Sequence, residues 1–352
     1  MAKLVIVGAG MMGTAITYPL ADNGHSVHLV GTHLDAEIIQ SCKELNYHPR
    51  LKRTLPVGVI PYYVEEIAQA MRGADIIVSG VNSLGVHWIA QVIGPLLCPG
   101  QKIIAVTKGL ETDSQGNLII LPDVIANELP EAISNRVKLA AIGGPCIAYE
   151  LASRKQSCVV FGSRDAATAE TLAAIFRTHY YHIFTTTDLV GLEYCAALKN
   201  AYAMAVGIAY GMLQNSGGAD EIEPNGHNLA AAIFAQSCSE MGILLKIAGV
   251  NQAFALGLPG AGDLFVTTHG GRTSRLGKLL GVGYSLVEAQ QIMINETLEA
   301  VEIIRSIYKA MPNLEQDGLL APDGLPLMRA LIDIIVHGKP VNLPLDKFTK
   351  YL

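Results

Sequence analysis

The chain has 352 residues, 50% of them hydrophobic, and a formal net charge of −6 with a pI near 5.9. This length allows two domains with a core in each, and the acidic balance argues against a general nucleic-acid binder or a protein held to anionic membranes. The six cysteines include no C-x-x-C pair, which indicates neither a zinc site nor a disulfide framework. We therefore expect no metal.

The N-terminal segment MAKLVIVGAG enters a strand pattern directly, without the features of a signal peptide. We expect a soluble, cytoplasmic protein without membrane insertion.

The first half of the chain alternates short apolar runs with helical stretches. This alternation predicts βαβ units and a mostly parallel sheet, with candidate strands at residues 3–8, 26–31, 57–60, 74–81, 102–109, 137–144, 157–163 and 180–186. After about residue 187 the pattern is helical only. The sequence thus predicts an α/β Rossmann-type dinucleotide-binding domain over residues 1–187 and an all-α substrate and catalytic domain over residues 188–352.

A glycine-rich turn, GAGMMG, follows the first predicted strand and begins a helix. In this strand–turn–helix context the pattern is a strong dinucleotide fingerprint, because glycines allow the tight turn, the approach of a pyrophosphate and close packing of helix on strand. The alternative to dinucleotide binding is a glycine-rich turn that holds no ligand. The turn supplies five candidate cofactor contacts: Gly8, Gly10, Met11, Met12 and Gly13.

The second strand leaves the choice between NAD and NADP open. A carboxylate usually ends this strand when the ribose of NAD is read, but here Gly31, Thr32 and His33 follow it, and the nearest acid is Asp35. His33 is a candidate contact for a 2′-phosphate, or simply a surface histidine.

Two later strand ends carry candidate ligand contacts, since ligands of open parallel sheets bind beyond the carboxyl ends of the strands. Lys108 stands at the first of these ends. At the second, Gly143 and Gly144 precede Pro145 and a helix, so that amides near Cys146 to Ala148 are placed to hold an anion. A solvated loop lysine and ordinary turn chemistry are the alternatives.

The helical half contains a lysine in unusually apolar surroundings. Lys199 lies in GLEYCAALKNAYAMAVGIAYG, a pattern that is apolar on every side and predicts a buried helix. Lysine is almost never buried without a partner, so its side chain either extends to water or is held in a site. Further along, Asp263 and Arg272 lie in a glycine-interrupted segment that is either a capped, solvated loop or an anion-binding loop.

Taken together, five motifs resemble those of the soluble NAD(P)-dependent glycerol-3-phosphate dehydrogenases, in the family's order: GAGMMGTAI, TKGLE, GGPCIAYELA, ALKNAYAMAVGI and GAGDLFVTTHGGR. The resemblance covers nearly the whole chain. It implies NAD or NADP as cofactor, a small phosphorylated substrate, and reversible reduction of dihydroxyacetone phosphate to sn-glycerol 3-phosphate for phospholipid synthesis.

The resemblance also implies residue roles. Lys199 corresponds to the family's general acid/base, and Lys108 and Asp263 are the other catalytic candidates. For the cofactor it implies contacts from Lys108, Ala148, Arg272 and Glu296. For the substrate it implies contacts from Lys108, Gly144, Cys146, Lys199, Asn200, Asp263, Thr267, Gly271, Arg272 and Thr273.

Departures from the family pattern keep other functions open. Cys146 stands where the family has serine, and Thr273 where it has asparagine, both near the expected phosphate. The alternatives are a sibling dehydrogenase for another small anionic ketone or oxo-acid and a non-catalytic dinucleotide-binding redox sensor. A homodimer is possible, because alanine- and glycine-rich helices pack as well between chains as within one.

Overall fold

The structure, a computed structural model, describes residues 1–215, 227–294 and 296–348. Within these ranges the strands are β1 (Lys3–Val7), β2 (Ser26–Val30), β3 (Tyr47–His48), β4 (Arg53–Thr54), β5 (Val59–Tyr62), β6 (Ile76–Ser79), β7 (Lys102–Ala105), β8 (Leu110–Thr112), β9 (Leu118–Ile120), β10 (Lys138–Gly143), β11 (Ser157–Gly162) and β12 (Tyr181–Thr186).

The helices of the first half are α1 (Met11–Asp22), α2 (Ala36–Leu45), α3 (Ile67–Met71), α4 (Val86–Ile93), α5 (Leu121–Glu128), α6 (Glu131–Ser134), α7 (Ala148–Ala152) and α8 (Ala166–Phe176). Those of the second half are α9 (Leu189–Asn215), α10 (His227–Ile247), α11 (Asp263–Thr268), α12 (Gly271–Val282), α13 (Leu286–Ile292), α14 (Glu299–Gln316) and α15 (Pro326–Ile335).

The eight predicted strands form one sheet in the order β12-β11-β10-β7-β6-β1-β2-β5. All neighbouring pairs are parallel except β10 with β11, where Ile142 lies opposite Phe161. Strands such as β1 and β6 are buried on both faces, which is why they read as unbroken runs of valine, isoleucine and leucine. The predicted mostly parallel Rossmann-type sheet is confirmed.

The order of strands reverses between β1 and β6. The chain goes from β1 to β2 on one side and returns to place β6 on the other. In an open α/β sheet such a switch point, at the carboxyl ends of the strands, is where ligands bind. The glycine turn after β1 lies at this point.

The chain divides into two compact units. The first comprises residues 1–108 and 121–193, and the second comprises residues 109–120 and 194–352. In its described residues the second unit is helical apart from the β8–β9 hairpin, which packs on α14 through a hydrogen bond from Ser306 Oγ to the Leu110 carbonyl (3.0 Å). The sequence did not predict this hairpin, nor the β3–β4 pair. From residue 188 onward the described part of the chain contains helices and no strand, as predicted.

One helix in the described ranges, α10, is long and apolar enough to cross a membrane, and half of its most apolar window is buried. A core helix passes the same test. Glu240, near its middle, is fully buried and hydrogen-bonded within the second unit, so α10 has the features of a core helix.

Candidate active site

The glycine turn makes the first part of the site. Gly8 has a φ of +115°, and a Cβ there would lie 2.6 Å from the backbone of Gly80 at the end of β6. At Gly13 a Cβ would lie 2.2 Å from the Gly8 carbonyl oxygen. These two glycines are therefore required by the packing of β1, α1 and β6 on one another.

Gly10 is different, because a Cβ there would have only the Gly80 carbonyl oxygen nearby, at 3.9 Å. Nothing in the protein demands a glycine at this position. The open space in front of Gly10, at the N-cap of α1, fits the approach of a dinucleotide pyrophosphate. Met11 and Met12 form the first turn of α1, with Met11 exposed and Met12 packed against the core.

Ala9, between the first two glycines, is held at both ends. Its N–H donates to Asp35 Oδ2 (3.2 Å), and its carbonyl accepts from His48 Nε2 (2.8 Å). Both side chains are buried, and burial lowers the pKa of the His48 imidazole. The neutral ring accepts the Leu51 N–H on Nδ1 (2.9 Å), which fixes its proton on Nε2.

The end of β2 presents no carboxylate outward. Asp35 Oδ2 accepts from the N–H (2.9 Å) and hydroxyl (2.8 Å) of Thr32 as well as from Ala9. His33 is exposed, and its ring lies edge-on to Trp88 with centroids 5.5 Å apart. The acid nearest to this strand end thus braces the turn.

Lys108 lies three residues beyond β7, in a loop, and is half-buried. Its neighbour Thr107 is anchored by a hydrogen bond to the Val81 carbonyl (2.7 Å). After β10, Gly144 adopts a φ of +119° and leads to Cys146, which is partly buried, and to Ala148 at the start of α7. Because α7 has only five residues, its dipole adds little to any anion binding there.

In the second unit, the buried Lys199 side chain is hydrogen-bonded to two other side chains. It is 8% exposed, and its Nζ donates to Asp263 Oδ1 (2.8 Å) and Thr267 Oγ1 (2.8 Å). The Thr267 hydroxyl in turn donates to the Asp263 carbonyl (2.7 Å). The side chain is therefore held by partners and does not extend to water, and these partners, Asp263 and Thr267, are two of the residues that the family resemblance implies as substrate contacts.

Asn200, beside the lysine, and Thr273, in the first turn of α12, are also buried. Gly271 begins α12 with a φ of +88°. Arg272 is half-exposed and pairs with Glu299, while Glu296 pairs with Arg275 (2.8 Å). Exposed ion pairs of this kind are weak, so an incoming anion can compete for either arginine.

Two pairs of glycines bring α9 and α12 into backbone contact. A Cβ on Gly277 would lie 2.1 Å from the Met204 carbonyl oxygen, and one on Gly281 would lie 2.2 Å from that of Ile208. A Cβ on Gly207 or Gly211 would meet α12 carbonyls at 2.5 and 2.2 Å. The residue numbers of the contacting positions increase together along α9 and α12, so the two helices are parallel. The N-terminal turn of α12 therefore lies alongside the part of α9 that follows Lys199.

Sequence reasoning missed several residues at these sites. His48 and Gly80 gave no local signal, because the turn they support is formed by distant segments. Glu299 became visible only through its ion pair with Arg272. Among the residues that the structure describes, no group of three or more histidine, cysteine or carboxylate side chains is placed to hold a metal ion.

Two sequence profiles match the chain. The NAD-dependent glycerol-3-phosphate dehydrogenase N-terminus matches residues 3–169, and the corresponding C-terminus matches residues 188–346.

Individual proteins agree with the profiles. An NADP(+)-dependent glycerol-3-phosphate dehydrogenase from Archaeoglobus fulgidus is 34% identical over 305 residues, covering 87% of this chain and 88% of its own. A glycerol-3-phosphate dehydrogenase [NAD(P)+] from Bacillus velezensis is 28% identical, covering 98% of this chain and 93% of its own. The crystal structure of glycerol-3-phosphate dehydrogenase from Coxiella burnetii has the same fold, with a TM-score of 0.80, 24% identity and 98% of each chain covered.

Proposed function

The chain belongs to the NAD-dependent glycerol-3-phosphate dehydrogenase family, and from this premise we propose that it reduces dihydroxyacetone phosphate to sn-glycerol 3-phosphate with NADH or NADPH, reversibly. The observation that carries the assignment to this chain is the buried triad of Lys199, Asp263 and Thr267. A sensor that only binds a dinucleotide has no need of a buried, oriented ammonium.

The chemistry needs an acid at the substrate carbonyl. A reduced nicotinamide, when bound, would supply a hydride to C2 of the ketone, and negative charge would then develop on the carbonyl oxygen. Lys199 Nζ donates a proton to that oxygen, and the resulting alcohol is the product. In the reverse direction the neutral amine takes the proton back.

The partners of Lys199 support this role. The Asp263 carboxylate stabilises the ammonium form, so the acid stays protonated despite its burial. Thr267 fixes the direction of Nζ, because its hydroxyl is itself bonded to the Asp263 carbonyl. Rigid placement of a proton donor is the main requirement of general acid catalysis.

For the remaining residues we propose the roles that the family motifs suggest. Lys108 stabilises the developing oxyanion. The substrate phosphate is held by Arg272, which exchanges Glu299 for it, together with Gly144, Cys146, Asn200, Gly271 and Thr273. The glycine turn would hold the cofactor, with further contacts from His33, Ala148 and Glu296.

We further propose that the protein is soluble, resides in the cytoplasm and serves phospholipid synthesis. The glycines of α9 pack on α12 of the same chain, so they lend no support to a homodimer, which stays a prediction. The Cys146 and Thr273 departures concern the phosphate end, and a sibling substrate with a different anionic group is the rival that they favour.

The test is oxidation of NADH and of NADPH with dihydroxyacetone phosphate, followed by absorbance, for the wild type and Lys199→Ala. We expect rapid oxidation by the wild type and a loss of at least about a hundredfold in the variant, in keeping with a general acid. Lys246→Ala, which removes an exposed lysine of α10, is the matched control. Faster turnover of another small ketone would assign the enzyme to a sibling activity, and cofactor binding without any turnover would indicate a sensor.

A further inference from the structure

Glu193, in the second turn of α9, is a buried carboxyl group without a hydrogen-bond partner. It is 0% exposed, and neither of its oxygens has a partner. Among the buried side chains that the structure describes, it is the only carboxylate in this state. Burial without a partner costs several kcal/mol for an ionised group, so this position needs a reason beyond packing, which leucine or glutamine would serve better.

The charges around Glu193 belong to the first unit. Lys108 attracts it, and Asp123 of α5 repels it. The Asp123 carboxylate forms a bidentate ion pair with Arg164 (2.6 and 2.8 Å), which offsets its charge. Of these two side chains, Lys108 therefore has the stronger electrostatic effect on the Glu193 carboxyl group.

We propose that Glu193 is a positioning residue for Lys108, a buried carboxyl group that holds the loop lysine in one orientation at the site. This inference rests on the proposed function, because it gives Lys108 a partner that the family motif does not name. Lys108 follows β7 by three residues in a loop, and a negative charge nearby favours one direction of its flexible four-carbon side chain.

The titration of Glu193 gives the proposal a signature. Burial raises the pKa of its carboxyl to about 8, against the opposing effect of Lys108. Below neutral pH the group is mostly protonated and attracts Lys108 weakly. As pH rises through this range, Glu193 becomes an anion and its hold on the lysine strengthens.

The first experiment compares kcat and KM for dihydroxyacetone phosphate in the wild type and Glu193→Gln, from roughly one pH unit below to one above the carboxyl's pKa. Glutamine keeps the shape and cannot ionise. We expect near-equal kcat/KM at the low end and a deficit of several-fold, about 3- to 10-fold, in the variant at the high end. A ratio that stays constant with pH would overturn the proposal, since a packing role does not titrate. Glu128→Gln, which changes a partly exposed acid of α5, should leave the profile unchanged.

A double-mutant cycle identifies the partner. In a Lys108→Met background the pH-dependent effect of Glu193→Gln should vanish, because the group being positioned is gone. Persistence of the effect would assign Glu193 to another group and sink the proposal.

A stability measurement separates this inference from the proposed activity. The folded-state pKa of Glu193 lies above its unfolded value of 4.5, so the folded protein binds the proton more tightly and wild-type stability falls as pH rises between the two values. Glu193→Gln should therefore gain stability relative to the wild type over that window. In the Lys108→Met background the window should extend to higher pH, whether or not the enzyme turns over dihydroxyacetone phosphate. An unmoved window would refute the coupling alone.

Discussion

Asp35 and His48 hold opposite ends of one residue, Ala9. The carboxylate accepts the Ala9 N–H at 3.2 Å, and the imidazole donates to its carbonyl at 2.8 Å. Ala9 lies between the two glycines of the turn, so the backbone that would face a pyrophosphate is fixed from both sides. The turn is thus preorganised, and a ligand does not have to order it.

Replacing Asp35 tests this bracing. Asp35→Ala removes a charge-assisted hydrogen bond worth about 1.5–3 kcal/mol, and we expect the Kd of the cofactor to rise by roughly tenfold. Because Asp35 is directed at Thr32 and Ala9, the loss should be equal for NADH and NADPH. Isothermal titration calorimetry with each cofactor measures both.

The matched control is Asp75→Ala. Asp75 accepts the Lys3 N–H (2.8 Å) at the opposite end of β1, so its removal should leave both Kd values unchanged. If Asp35→Ala weakened NADH much more than NADPH, Asp35 would be reading the ribose and the bracing role would be wrong.

His48 gives the turn a pH dependence. Burial lowers the pKa of its imidazole from 6.5, so the neutral ring is the folded form. A depressed pKa contributes stability that is present above the unfolded value and lost as pH falls through the folded one. A protonated ring has no acceptor for the Leu51 N–H, and we expect unfolding and loss of cofactor binding to begin below about pH 6.5.

Thermal melts across this range, for the wild type and His48→Gln, check the assignment. The variant has no titrating group at this position, so its acid-side loss should be smaller. His28, whose pKa is also lowered by burial, is present in both proteins and cancels. Identical acid limbs would show that His48 does not govern the transition.

The triad at Lys199 predicts an order of effects. Asp263→Asn leaves a buried ammonium without its counter-charge, and we expect kcat to fall by about a hundredfold. Thr267→Val removes only one neutral partner, so about tenfold is expected. Steady-state kinetics with near-saturating cofactor gives both values, and a larger effect for Thr267→Val than for Asp263→Asn would contradict the charge argument.

The sequence predicted local features well and contacts between distant segments poorly. The eight strands and the glycine turn were readable because apolar runs and Gly8 to Gly13 are contiguous in the chain. Asp35 was recognised as the nearest acid, yet its direction depends on where Ala9 lies, and no local pattern carries that. Lys199 was the informative exception, since a lone charge in an apolar helix demands a partner.

The remaining omissions share one cause. Glu193, His48 and the Arg275–Glu296 pair acquire their roles from neighbours at least 21 residues away or from burial itself. The resemblance supplied Glu296 as a cofactor contact without its arginine. Burial in the folded chain and contacts between distant residues leave no periodic pattern in the sequence, so residue spacing did not reveal them.

Glu240 links α9, α10 and α15. Its oxygens accept from Tyr202 (3.1 Å), Gln236 (2.9 Å) and the backbone N–H groups of Leu327 (2.7 Å) and Met328 (2.9 Å). Burial raises the pKa of this carboxyl, and the four donors act in the opposite direction. Glu240→Ala removes the acceptor that these four buried donors share, so we expect about 3 kcal/mol or more of lost stability in chemical denaturation. Ser285→Ala, which removes the exposed N-cap of α13, should cost only about 1 kcal/mol. Equal losses of stability in the two variants would contradict the role of Glu240 as a buried acceptor at the start of α15.

The contact between α9 and α12 predicts opposite outcomes for two glycine-to-alanine changes. In Gly277→Ala the new Cβ meets the Met204 carbonyl oxygen at 2.1 Å, which is backbone and cannot yield cheaply. We expect a loss of about 1–3 kcal/mol from overpacking. Because Arg272 lies in the first turn of α12, displacement of this helix should also raise KM for dihydroxyacetone phosphate. Gly242→Ala in α10 has its nearest neighbour at 4.0 Å and should gain about 0.5–1 kcal/mol from helix propensity. Denaturant melts of both variants, with KM measured alongside, decide the matter, and a neutral Gly277→Ala would mean that the two helices are free to separate.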